Sequence, residues 1–169
     1  MSMLPEIKAY LETFDELRRQ VGAIIQGLPA EALNWRPLLP AGADPTNSLG
    51  VLAVHIAGSE HFWIAETIGG YPPTRVRDLE FKYVATSDEE PLARLQQVGR
   101  ETHAVLEKFT ESQLNGSFMK DDMDVPVRWA IHHVIYHTSL HIGHMQLTYQ
   151  LWNKGKAAAN VRWFDRLKK

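Results

Sequence analysis

The stretch WAIHHVIYHTSLHIGHMQL, residues 129–147, carries five of the chain's eight histidines. Four of them, His133, His137, His141 and His144, follow one another at intervals of four, four and three, the spacing of neighbours on one helix face. Val134, Leu140, Met145, Leu147 and Leu151 share or flank that sector, so the spacing predicts imidazoles on the side that packs against the rest of the protein. Buried imidazoles need partners. A chain that buries several on one stripe must supply hydrogen bonds to each, or one cation to several at once.

The remaining periodicity predicts three more helices. From Pro5 to Leu28, Ile7, Tyr10, Leu11, Phe14, Leu17, Val21, Ile24, Ile25 and Leu28 form one apolar stripe, with proline in the first turn and Pro29 just past the end. A second helix is expected from Ser48 to Ile68, capped by Asn47 or Ser48 and stopped by Gly69-Gly70 and Pro72-Pro73. A third is expected from Pro91 to Glu111, with Ser87 and Glu90 as a capping box and Leu92, Leu95, Leu106 and Phe109 inward. The fourth runs from Arg128 to Trp152. A small turn, AEAL, falls in the first connector, MDVPVRW can start extended, and the tail AAANVRWFDRLKK has room for one short helix. Residues 71–90 form a link of roughly 20 residues where about 2–8 is usual between helices, long enough for helices two and three to run parallel. The expected fold is all-α, a four-helix bundle with long connectors, in one domain spanning residues 1–169.

Composition narrows the function. The formal net charge of −2, without a basic block, argues against nucleic acid as a partner. No apolar run reaches the length of a membrane span, about 18 residues. The amphipathic N-terminus lacks the regions of a signal peptide, so the cytoplasm is the expected location. With no cysteine, thiolate ligands and a cysteine nucleophile are excluded, and any metal must be held by nitrogen and oxygen.

His55, in LGVLAVHIAGSEHFW, falls on a stripe with Val51, Leu52, Ser59, Phe62 and Trp63. With His137 and His141 it gives three nitrogens from two facing helices, the way bundles build metal sites. His133 and His144 each stand one step along the stripe from a ligand and are either outer groups or alternative ligands. His61 and His132 are expected to face away, and His103 is expected in the core or beside the site. Glu60, about 140° around the wheel from His55, is expected to be exposed and is a weak candidate for a general base. Ser59 is placed to orient a substrate, and Trp63 and Trp129 are either pocket walls or core. Arg75, Arg77 and Lys82 either meet an acidic substrate or form a solvated loop. No side chain is assigned a catalytic role.

Two segments carry a family resemblance. LPAEALNWRPLLPAGADPTNSLGVLAVHIAGSEHFWI has a Trp-x-Pro segment and a polar cap before a helix with a histidine and Glu-x-x-Trp. HHVIYHTSLHIGHMQLTYQLW has two histidines four apart, then x-Gly and a polar residue. Together they resemble the DinB/YfiT-like family of metal-dependent proteins. The resemblance implies an up-down-down-up bundle and a metal site at His55, His137 and His141. It also implies a close-packed helix contact at Gly143 and homodimers formed through helix faces. His144 departs from the glutamine that the family often has there. Some relatives are S-transferases or isomerases that use low-molecular-weight thiols. The activity expected here is therefore that of a metal-dependent transferase or hydrolase, with zinc, nickel, manganese or iron as the ion (zinc or nickel foremost) activating water or a small thiol. The alternative is a non-catalytic, metal-stabilised bundle that binds a ligand or serves in a stress response. No G-x-S-x-G is present to support a serine triad.

Overall fold

The computed structural model describes residues 3–38, 46–120 and 122–158. The long helices are α1 (Pro5–Ile25), α3 (Leu49–Glu60), α5 (Glu89–Leu106) and α7 (Val127–Trp152), with short helices α2 (Ala30–Asn34), α4 (Arg77–Glu80) and α6 (Glu111–Leu114) in the connectors. An antiparallel hairpin of β1 (Ser117–Lys120) and β2 (Met123–Pro126) precedes α7, pairing Ser117 with Pro126 and Lys120 with Met123. The extended start expected at MDVPVRW is thus half of a hairpin, and its turn residue Asp122 has a φ of 64°. Most of the expected tail helix lies outside the described residues. Among those described, no helix is long and apolar enough to cross a membrane.

Side-chain pairs fix the helix directions. Glu6 and Tyr10 of α1 meet Arg128 and His132 of α7, so these two helices are parallel. His55 meets His137, and Trp63 meets Trp129, so α3 and its continuation oppose α7. Gly22 faces Leu92 and Gly99 faces Arg18, so α5 opposes α1. Glu60 meets Thr102 and Gly69 meets Val105, so α5 runs alongside α3. The order is up-down-down-up, as the long second connector implied.

Local chemistry explains most boundaries. Ser48 caps α3, its hydroxyl accepting from the Val51 amide at 3.3 Å. Beyond Glu60 the helix widens into a π-helix, His61–Ile68, which the α-helical period did not reveal. The capping box expected at Ser87 and Glu90 does not form. Asp88 is the N-cap residue, and Glu90 accepts instead from Arg94 and Tyr83. A capping box does head α6, where Thr110 and Gln113 bond reciprocally. The third expected helix accordingly ends at Leu106, short of Glu111. Of its expected inward residues, Leu95 and Leu106 are buried while Leu92 and Phe109 pack at the edges of the two core clusters.

Helix α3 is buried nearly all round, including Glu60 at 1% exposure. This corrects the expectation of an exposed Glu60. The wheel assumed one wet face, but α3 is covered by α5, α7, α2 and α4. Glu60 accepts from Arg18 and, at 2.6 Å, from Thr102. Burial pushes its carboxyl up, against the pull of Arg18 and Thr102. It points toward α1 and α5, away from the histidines, and is no candidate base. Glu60→Ala, which leaves buried Arg18 with only the half-exposed Asp15 as its carboxylate partner, is expected to cost about 3 kcal/mol, the lower end of the range for a broken buried pair, in urea unfolding. A neutral effect on unfolding would refute the pair's structural role.

Candidate metal centre

Helix α7 has three longitudinal zones. At about 100° per residue, Ala130, Val134, Thr138, Met145 and Thr148 define the buried side. Trp129, Tyr136, Leu140, Leu147 and Leu151, each about half exposed, define the opposite one. His133, His137 and His141 occupy the border and are half-buried. Leu140, Leu147 and Leu151 therefore do not share the packed side as expected. The histidine row is the seam between core and surface.

On the facing helix, His55 is buried. Its Nε2 lies 3.2 Å from Nε2 of His137, which lies 3.2 Å from Nε2 of His141, and the three residues form a group able to hold one ion. Two imidazole nitrogens on a tetrahedral zinc with bonds of roughly 2.0–2.1 Å stand about 3.3 Å apart, so the spacing fits a shared cation. Proton counting leads the same way. His55 Nδ1 stands 2.8 Å from Glu80; with its proton there, Nε2 carries only a lone pair. The single Nε2 of His137 can donate to one neighbour or accept from the other. With neutral rings, the two short contacts cannot both be full hydrogen bonds: one is left with two lone pairs or two N–H groups face to face, or with a proton already engaged, which a cation relieves.

The surroundings keep the two rings on α7 neutral. Burial, then the neighbouring histidines His141, His55 and His133, push His137 down to about 3. Burial, then His55 and His144, push His141 down to about 4. Neutral imidazole is the ligating form.

Partners outside the three divide into two kinds. Glu80, which sequence reasoning missed, is 7% exposed and also accepts from Arg75 Nε at 2.6 Å and Nη2 at 2.9 Å. Burial works to raise its carboxyl, but bonds from Arg75 and His55 prevail and hold it below the usual range. Arg75 is thus an internal ion-pair partner; Arg77 lies over Phe81, and Lys82 is exposed. The other kind is aromatic. His133 stacks on Trp129 at 4.9 Å, meets Trp63 at 5.2 Å and bonds the Tyr136 hydroxyl at 2.8 Å. His144 is exposed, its Nδ1 3.3 Å from His141 Nδ1. Neither His133 nor His144 joins the three-nitrogen group.

Ser59 is buried one turn beyond His55. His61, expected to be solvated, is half-buried, bonding Glu101 at 2.6 Å and Thr74 at 3.0 Å. His132 bonds Tyr10. His103 is neither core nor beside the site: it bridges Asp15 and Glu107 across α1 and α5. Among the described residues Gly143 is not a close-packed contact, since a Cβ there would meet none of them within 4 Å.

A helical bundle with three imidazoles converging from two opposed helices is compatible with a metal-binding protein. The chain belongs to the DinB superfamily, whose family model matches residues 13–145. No curated protein matches it. A solved structure described as the conserved protein of a locus from Enterococcus faecalis shares the fold, with a TM-score of 0.66 over 85% of this chain and 95% of that chain at 16% identity.

The metal-free protein is expected to lose stability as pH falls. Unfolded histidine protonates near about 6.5, while folded His137 and His141 resist until about 3 and 4. Below about 6.5 the unfolded chain binds more protons, so the stabilising contribution present at neutral pH drains away down to that lower range. Urea unfolding of chelator-treated protein from pH 7.5 to 4.5 measures the slope. A His137→Gln/His141→Gln variant with the same slope as wild type would remove the assignment.

Proposed function

We propose that the chain is a metal-dependent enzyme, a transferase or hydrolase that activates a low-molecular-weight thiol or water, with His55, His137 and His141 as the ligands. The observation that carries the reading is the convergence of three Nε2 atoms at the seam of α7. A divalent ion held there, zinc or nickel first, supplies Lewis acidity that favours the ionised form of water or a thiol at its open positions. The protein's own part is to hold three neutral donors and supply no fourth from the described side chains, as catalytic rather than closed structural sites do. Trp63, Trp129 and the His133 ring offer flat apolar surface one turn along α7 from His137, suited to the body of a small organic substrate. The reading places the enzyme in the cytoplasm, where small thiols are reduced.

The test uses the full chain with no histidine tag. Elemental analysis is expected to find one ion per chain, lost in His55→Ala, His137→Ala and His141→Ala. Transfer of a small thiol to a bimane electrophile is expected to run faster than the uncatalysed reaction and to stop on chelation. Absence of stoichiometric metal removes the reading. Metal whose removal lowers the melting temperature, without any thiol-transfer or ester- and amide-hydrolysis activity, favours the non-catalytic, metal-stabilised bundle instead.

We propose further that a second copy of the chain covers the apolar zone of α7. Tyr136, Leu140, Gly143, Leu147 and Leu151 fall within about 40° of one line, and a contiguous apolar strip of this kind marks an interaction surface. Open Gly143 lets another helix approach closely at its middle. Sedimentation is expected to show a dimer for wild type and a monomer for Leu140→Glu/Leu147→Glu. A monomeric wild type at micromolar concentration sinks the pairing.

A further inference from the structure

We infer that Gly58, Glu80 and Arg75 form a positioning device that aims the Nε2 of His55 at the ion; the inference rests on the metal reading above. Three observations converge. Glu80 Oε2 lies 2.8 Å from His55 Nδ1, which fixes the proton on Nδ1 and leaves Nε2 free to ligate. Arg75 grips the same carboxylate through two nitrogens, at 2.6 and 2.9 Å, and its own amide donates to Glu66 on the π-helix at 2.8 Å. The carboxylate is held at both ends.

The third observation is the space it occupies. Gly58 stands three residues beyond His55, on the same helix face. A Cβ at this position would lie 2.0 Å from Glu80 Oε1 and 2.8 Å from its Cδ. Any other residue would drive the carboxylate off the helix and away from His55. Glycine weakens a helix interior relative to alanine, and here the close approach of Glu80 gives the reason for it.

The other two ligands have no such support. Among the described residues, His137 Nδ1 is buried with no hydrogen-bond partner, and the ring-nitrogen partner of His141 Nδ1 is exposed His144. His55 is therefore the anchoring ligand, its ring also flanked by Phe81 at 4.9 Å. Gly58, Glu80 and Arg75 are positioning residues: they act through His55.

The experiment compares wild type, Gly58→Ala, Glu80→Gln and Glu80→Ala in the full chain. Cobalt(II) affinity is read by chelator competition, and the ligand-field absorption of bound cobalt is recorded. Long-range nitrogen–proton NMR of the metal-free protein reads the His55 tautomer. Wild type is expected to hold the Nδ1–H tautomer. Gly58→Ala, which removes no charged group but displaces the Glu80 carboxylate, is expected to bind cobalt roughly 10–100-fold more weakly, with a shifted spectrum and a mixed tautomer. Glu80→Gln is expected to fall in the same range and Glu80→Ala at or beyond its upper end. Thermal melting of the metal-free variants guards against misfolding. Should Gly58→Ala fold poorly, the two Glu80 variants decide the matter. Wild type that takes up no cobalt overturns the metal reading and this inference with it. Wild type that binds while folded variants keep its affinity, spectrum and tautomer overturns this inference alone.

Discussion

The parallel alignment of α3 and α5 is the constraint on which the rest of the structure depends. Two sequential helices that run the same way cannot be joined by a tight turn, so the chain must travel back along the length of the first. The return path is visible in its contacts. Thr74 meets His61, Glu80 meets His55 and Gly58, and Tyr83 and Ala85 meet Gly50. Asn34 of α2 then clasps Ala85 through paired hydrogen bonds of 2.8 Å. The connector lies in the groove beside α3 and encloses a cleft of about 480 Å³ with α5. It brings Glu80, the one carboxylate among the described residues that touches a candidate ligand, to the buried side of the site. Topology and site chemistry thus share a cause.

The seam on α7 follows from a second constraint. A helix that is apolar on two sides must keep its polar groups on the lines between. Here one line carries histidines, where imidazoles are desolvated enough to stay neutral yet close enough to the surface to admit a small molecule. Buried deeper, the same rings would need a full set of internal partners. Placed on the surface, they would protonate near their ordinary value of about 6.5, so mild acidification would already expel a cation. Half-burial satisfies both demands.

The apolar stripes, the proline and glycine stops, the Ser48 cap and the convergence of His55 with His137 and His141 were all legible in the sequence, because each depends on spacing within one helix or on a long connector. What was not legible depends on tertiary surroundings. Glu60 reads as exposed on any wheel that allows α3 a wet side, yet its neighbours leave none, and the partner that satisfies it, Arg18, is 42 residues away. Glu80 sits in a connector with no period, so nothing in its neighbourhood pointed to His55. The π-helix has the composition of an ordinary helix end, and its wider turn is shown by hydrogen bonds such as Gly69 N–H to Ile64 O at 2.9 Å. The Ser87–Glu90 pattern failed because a better partner, Arg94, competes for the glutamate.

Electrostatics carry the functional reading one step further. The three imidazoles are neutral donors, and the nearby carboxylate of Glu80 is already neutralised by Arg75. A divalent cation placed among them keeps nearly all of its charge uncompensated by the protein, in surroundings where charge is weakly screened. The most stabilising occupant of an open position is then an anion. A site with carboxylate ligands would suit neutral substrates better, whereas this donor set, holding the ion proposed above, would favour species that ionise on arrival, as thiols and water do. That preference comes from which side chains are charged, and it holds for any of the divalent ions that three histidines accept.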